Sequence, residues 1–134
     1  MKRTRLIAAV TALPRSEINT IINRLKVFTM RKLDHIGIPT KVVQIDENYM
    51  EGAKVFVTDY ANSANKIEWL RFELGSEFPE LIQTTAHIAY QVEDLKSEME
   101  GKTVLIEPFS PKDGLTIAFV EEEGAPIELM QIKA

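Results

Sequence analysis

Four residues carry the chemistry this sequence can offer. His35 and His87 are its only histidines, and no cysteine is present. The missing thiols exclude disulfides, thiolate metal sites, iron–sulfur clusters and a cysteine nucleophile together. Each histidine opens a stretch of short strands, and a glutamate flanked by apolar residues closes it. Glu68 lies between Ile67 and Trp69-Leu70, and Glu128 between Ile127 and Leu129-Met130. Strand parity puts Glu68 on a face with Leu70 and Glu128 on a face with Met130. A lone carboxylate on an apolar face is costly to bury and calls for a partner. Two imidazoles and two carboxylates brought together make an N₂O₂ site suited to zinc, nickel, cobalt, iron or manganese. Gly37 and Ala89, two residues past each histidine, are expected to leave room above such an ion for a ligand.

The four residues belong to an internal repeat. Asp34-His35-Ile36-Gly37 aligns with Ala86-His87-Ile88-Ala89, and Ile67-Glu68-Trp69-Leu70 with Ile127-Glu128-Leu129-Met130. Gly52–Val57 aligns loosely with Gly114–Phe119. The histidine precedes its glutamate by 33 residues in the first half and by 41 in the second. A repeat of about 50 residues implies two similar modules about a pseudo-twofold axis.

The elements that must position them read as follows. Strands are expected over Leu33–Thr40, Gly52–Tyr60, Lys66–Glu73, Thr85–Val92, Thr103–Phe109, Leu115–Glu122 and Ala125–Ile132. Val42–Tyr49 reads as a strand followed by an irregular turn. Gly75–Gln83, containing Pro79, reads as a linker. Glu93–Gly101 is a short helix with Glu98 and Glu100 on an exposed face. Pro108, Pro111 and Asp113-Gly114 mark turns. Glu121–Gly124 reads as a solvated hairpin turn rather than a calcium loop. Ser63, Ser76, Ser97 and Ser110 have no nucleophile-elbow context, and no phosphate-binding glycine loop is present.

Residues 1–32 are set apart by charge. They hold eight basic residues and one acid (Glu17), a net of +7, whereas residues 33–134 net −11. The acidic body is a poor partner for nucleic acid. Residues 1–29 are expected to form a basic, helical extension, with Ser16 capping a helix whose apolar stripe is Ile18, Ile21, Ile22, Leu25 and Phe28. Its roles as a docking helix, a membrane-surface segment or a targeting segment stay open. Met30 is an alternative start. The charged start and the apolar stretch Leu6–Leu13 precede no convincing cleavage site, and no apolar run is long enough to span a bilayer. A cytoplasmic protein is expected.

The motifs Asp34–Ile38, Ile67–Leu70, Thr85–Ala89 and Pro126–Leu129 resemble the vicinal oxygen chelate superfamily, which includes glyoxalase I and bleomycin-resistance proteins. The resemblance covers about residues 33–132. It implies an α+β fold of two βαβββ modules, about residues 30–80 and 84–134, curving into a half-barrel around a divalent metal ion. The implied ligands are His35, Glu68, His87 and Glu128, with Glu128 or Glu68 as the catalytic base. The implied activity is lyase- or isomerase-type chemistry on a small oxygenated substrate through a metal-bound enolate or enediolate. A non-catalytic binder walled by Trp69, Phe72, Tyr90 and Phe119, and a ring-cleaving dioxygenase, are the alternatives within the fold. A structural or docking protein is the alternative outside it. The family implies a homodimer. The family's first helix is reduced here, since Pro39-Thr40-Lys41-Val42 does not start one. Arg71 and Lys54 are the only basic candidates near the first module's strands for clasping glutathione carboxylates, and parity points Arg71 away from Glu68.

Overall fold

The computed structural model describes residues 13–133, with the side chains of residues 25–30 left out of the description. Met1 to Ala12, including most of the apolar stretch noted above, lie outside it. The chain divides between Arg31 and Lys32 into two units. The first contains helix α1 (Arg15–Met30). Pro14 occupies its N-cap position without a side-chain cap, so Ser16 lies inside the first turn instead of capping it. Among the described residues no helix is long and apolar enough to cross a membrane.

The second unit is an eight-stranded mixed sheet. Its strands are β1 (Lys32–Pro39), β2 (Asn48–Met50), β3 (Val55–Val57), β4 (Ile67–Phe72), β5 (His87–Gln91), β6 (Thr103–Lys112), β7 (Leu115–Glu122) and β8 (Ala125–Ile132). Their order is β2-β3-β4-β1-β5-β8-β7-β6, curled into a half-barrel. That order is the expected repeat made visible. β1 runs parallel to β4, β5 runs parallel to β8, and the two halves join through the antiparallel pair β1–β5.

The helices differ between the halves. In the second half α3 (Leu95–Met99) follows β5. In the first, residues 40–47 form a loop, and a strand begins only at Asn48. The loop is tied to itself: Gln44 N–H donates to Glu47 and its side chain to the Val42 carbonyl. The linker between the modules contains a further helix, α2 (Glu80–Thr84), with Pro79 at its N-cap position. The proline that marked a linker thus also starts a turn of helix.

Two apolar layers flank the second half. On the outer face Leu95 of α3 packs with Val92, Ala118, Val120, Ile127 and Leu129. On the inner face Ile82 of α2 packs with Ala89, Ile117, Phe119 and Met130. Every second residue of β7 and β8 serves one layer, and the residues between serve the other. Glu98 belongs to the covered side of α3 and is buried, contrary to the exposed face expected of it, whereas Glu100 is exposed. The first half has no counterpart to α3, and Ile36, Ile38, Ile67 and Trp69 stay only partly buried.

Pro108 and Pro111 lie inside β6, not in turns, and the β6–β7 pairing slips at three places along the strand. β6 is an edge strand, where a proline need not donate to a ladder. The β7–β8 hairpin turns on Glu123 and Gly124, both left-handed. Two such residues form the tight turn that follows strand twist, the hairpin turn expected there.

Candidate metal centre

The four residues singled out by the repeat converge on the inner face. They stand in two rows across the sheet. Gly37 of β1 is registered with Glu68 of β4 on one side and His87 of β5 on the other. Ala89 of β5 is registered with His35 of β1 and Glu128 of β8. Each row therefore reads ligand, small residue, ligand. Alternate strands are about 10 Å apart, so the outer side chains meet only by leaning over the residue between them. His35 and Glu128 do so over Ala89, with Nε2 and Oε2 2.9 Å apart. Glu128 Oε2 is 3.8 Å from His87 Nε2, and Glu68 Oε1 is 4.0 Å from His35 Nε2. His35, Glu68 and His87 each bring one ligand atom within 4.8 Å of the others, a cluster that could hold a metal ion.

The space over Gly37 has a different use from the one the sequence implied. A Cβ built there would lie 1.9 Å from Cε1 of His87. The missing side chain makes room for the imidazole itself. His87 then packs edge-on against Phe119, with ring centroids 5.3 Å apart.

Polar satisfaction is what makes this place a candidate cation site. His35 and His87 are 2% and 1% exposed, the Glu128 side chain 10% and the Glu68 side chain 20%. His35 Nε2, both ring nitrogens of His87 and Glu128 Oε2 are buried without a hydrogen-bond partner. The short His35–Glu128 contact lacks hydrogen-bond direction. Buried polar atoms are nearly always paired, so these orphans need an explanation. A divalent cation satisfies imidazole nitrogens and carboxylate oxygens together, and this donor set fits one.

His35 is held by residues whose role the sequence did not reveal. The β1–β5 register shifts between Leu33 and His35, leaving Asp34 on a bulge. From there Asp34 Oδ2 accepts from His35 Nδ1 at 2.7 Å, and Oδ1 accepts from Gln91 Nε2 at 2.7 Å. The Tyr60 hydroxyl also favours the ionised form of this carboxylate. With Nδ1–H given to Asp34, the tautomer is fixed and Nε2 is the free ligand atom, the usual arrangement around a metal-bound histidine. The only sequence signal was the carboxylate directly before the histidine, which the Ala86-His87 copy lacks.

The charges follow from these neighbours. Burial works against ionised Asp34, but hydrogen bonds from His35, Gln91 and Tyr60 outweigh it and hold its carboxyl below the usual range. Burial also works against protonated His35, but Glu128, Asp34 and Glu68 raise it to about 9. Burial and the nearby Glu128 charge push Glu68 up to about 7. Burial pulls His87 down to about 4. In the metal-free protein the carboxylates around His35 therefore favour its protonated form.

A pH dependence of stability results. His35 is raised in the folded state, so its contribution is full below pH 6.5 and is lost as pH rises through about 9. Glu68 is raised too and adds loss as pH rises through about 7. His87 is lowered, so its contribution is already complete above pH 6.5. Melting of the metal-free protein, followed by circular dichroism in chelator, is expected to fall by roughly 5–10 °C between pH 6.5 and 9.5, the effect of about 1–2 kcal/mol. The fall shrinks once a divalent ion fills the site.

No family model matches the sequence, and no curated protein matches it closely enough to count as a relative. The fold is shared with solved structures. A hypothetical protein, BH1468 from Bacillus halodurans C-125, superposes with a TM-score of 0.58 at 21% identity, over 78% of this chain and 96% of that one. Methylmalonyl-CoA epimerase from Mycobacterium tuberculosis superposes with a TM-score of 0.51 at 16% identity, over 76% of this chain and 88% of that one. At such identities the likeness is one of fold.

The remaining candidates are placed elsewhere. Arg71 pairs with the Glu47 carboxylate and lies 4.0 Å over the Phe56 ring, on the face of β4 opposite Glu68. Trp69 shares that face, so it does not wall the metal centre. Tyr90 packs against the outer layer, and Phe72 against the inner one.

Proposed function

We propose that this protein is a metal-dependent enzyme of the vicinal oxygen chelate type, catalysing an isomerase- or lyase-type reaction on a small oxygenated substrate. The carrying observation is that His35 Nε2, His87 Nε2 and Glu128 Oε2 are buried without hydrogen-bond partners, with Glu128 Oε2 2.9 and 3.8 Å from the two ring nitrogens. The motif resemblance and the fold shared with an epimerase support the reading. His35, Glu68, His87 and Glu128 are the proposed ligands, all from one chain.

A divalent ion bound there supplies Lewis acidity toward a substrate oxygen, which makes an adjacent C–H bond acidic. The chain's own part is proton handling. Glu128 or Glu68 takes the proton as the C–H bond breaks and the electron pair stays on the substrate. Return by the same carboxyl to a neighbouring carbon gives an isomer; return by the other carboxyl to the opposite face gives an epimer. Asp34 fixes the His35 tautomer throughout. The charged groups that act most on Glu68 are Glu128, His35, Asp34 and Asp59, which makes the centre anionic. With Arg71 committed to Glu47, an uncharged hydroxycarbonyl compound is a better substrate than a glutathione or coenzyme A conjugate.

Elemental analysis of untagged protein, beside His35→Ala, tests the first part. One equivalent of divalent metal is expected in the parent and less than about a tenth in the variant, since a main ligand is gone. Parent protein that purifies empty and takes up no zinc, nickel, cobalt, iron or manganese would favour a non-catalytic binder.

A further inference from the structure

We propose that Tyr60 is a positioning residue for the metal centre, a clamp that presents His35 to the cation. The inference rests on the metal-centre reading above. The Tyr60 ring is stacked on the His35 imidazole, with centroids 4.0 Å apart and planes 13° from parallel. Its hydroxyl acts on Asp34, the carboxylate that accepts from His35 Nδ1, and favours the ionised form of that carboxylate. One side chain thus bears on His35 twice: across the ring face, and through the carboxylate that fixes its plane and tautomer.

Tyr60 is itself delivered by a stiff connection. It opens a 3-10 turn, Tyr60–Asn62, whose preceding Asp59 caps it by accepting from Ala61 N–H at 2.9 Å. Ser63 N–H returns to the Tyr60 carbonyl, and the Ser63 hydroxyl oxygen accepts from Asn65 and Ile67 N–H, which ties the turn to the start of β4. Just before it, Thr58 is bonded to Trp69 through both backbone and side chain. The turn is therefore fixed at both ends to the strand that carries Glu68.

The second half has no such device. His87 follows an alanine where His35 follows Asp34, and its Nδ1 has no partner. It is held by shape alone, between Gly37 and Phe119. The two histidines are equivalent by repeat but not by support. On this inference His35 depends on Tyr60, whereas His87 depends on packing.

The test is cobalt(II) titration of the metal-free protein, followed by visible absorption, for the parent, Tyr60→Leu and Tyr60→Phe. Removal of an outer-shell partner typically weakens metal binding about 10–100-fold. Tyr60→Leu is expected to weaken cobalt binding at least about 10-fold and to alter the absorption bands, while its far-ultraviolet circular dichroism matches the parent. Tyr60→Phe keeps the stack and loses the hydroxyl, and is expected to retain the parent bands with affinity about 3–10-fold lower. Parent affinity and bands in a folded Tyr60→Leu protein would overturn the clamp and leave the metal centre standing. Should Tyr60→Leu fail to fold, Tyr60→Phe decides: parent affinity overturns the proposal and the expected loss supports it. A parent protein that binds no cobalt overturns the metal-centre reading, and the clamp with it.

Discussion

Replacing Gly37 by alanine is expected to cost the protein its metal and a substantial part of its stability. The added Cβ would sit 1.9, 2.3 and 2.4 Å from three atoms of the His87 ring. His87 cannot give way in place, because it is buried and Phe119 stands against its edge. Either the imidazole swings out of the trough or β1 and β5 separate at a registered pair. The first removes a ligand and the second widens the row that must close around the ion. Divalent metal affinity should fall at least about 100-fold, from loss of one of four ligands. The melting midpoint should fall by the roughly 1–3 kcal/mol typical of overpacking. Cobalt titration and thermal melts check the two parts. A Gly37→Ala protein that binds cobalt within twofold of the parent would show that the trough is looser than its geometry. Ala89 is the internal control: it already carries a methyl group under the His35–Glu128 pair and is fully buried.

Glu128→Gln separates holding the ion from moving the proton. Glutamine keeps the size and one carbonyl oxygen, so it can still face the two imidazoles at 2.9 and 3.8 Å. It cannot accept a proton from carbon. The variant is expected to keep most of its metal and to lose turnover by about 10³-fold, within the range for a missing general base. Because the substrate is defined only as a class, the readout is exchange of carbon-bound protons for solvent deuterium, followed by NMR, in a panel of small vicinal hydroxyketones. Exchange at the parent rate in Glu128→Gln would move the base to Glu68, the more solvent-open of the two carboxylates. Glu68→Gln then serves as the reciprocal variant.

Much of this site was legible before any coordinates. The repeat paired His35 with His87 and Glu68 with Glu128, and strand parity set each glutamate on the inner face. Both inferences need only the period of two along a strand, which the register bears out. The reduced first helix was also readable, since Pro39 leaves too little chain before the next strand. What stayed hidden depends on contacts made across the fold. Asp34 reaches the His35 ring because a bulge puts it there, and a bulge has no local signature in Leu33-Asp34-His35. Gln91 and Tyr60 join that carboxylate from far along the chain. Glu98 is buried by where α3 packs, although its sequence reads as a surface turn. Pro108 and Pro111 read as turns in the sequence because the edge position that tolerates them is a property of the sheet.

The uneven lining of the two halves has a consequence for what a bound ion would do. Among the buried apolar side chains of the described residues, only Val55 and Leu70 come from the first four strands of the sheet; the others belong to the linker and the second half. Local opening follows the distribution of buried apolar contacts, so β1–β4 should unzip at lower free energy than β7–β8. Two of the four proposed ligands ride on that weaker portion and two on the stronger. A cation held by all four would act as a rivet between them, lending the thinner half some of the firmness of the thicker.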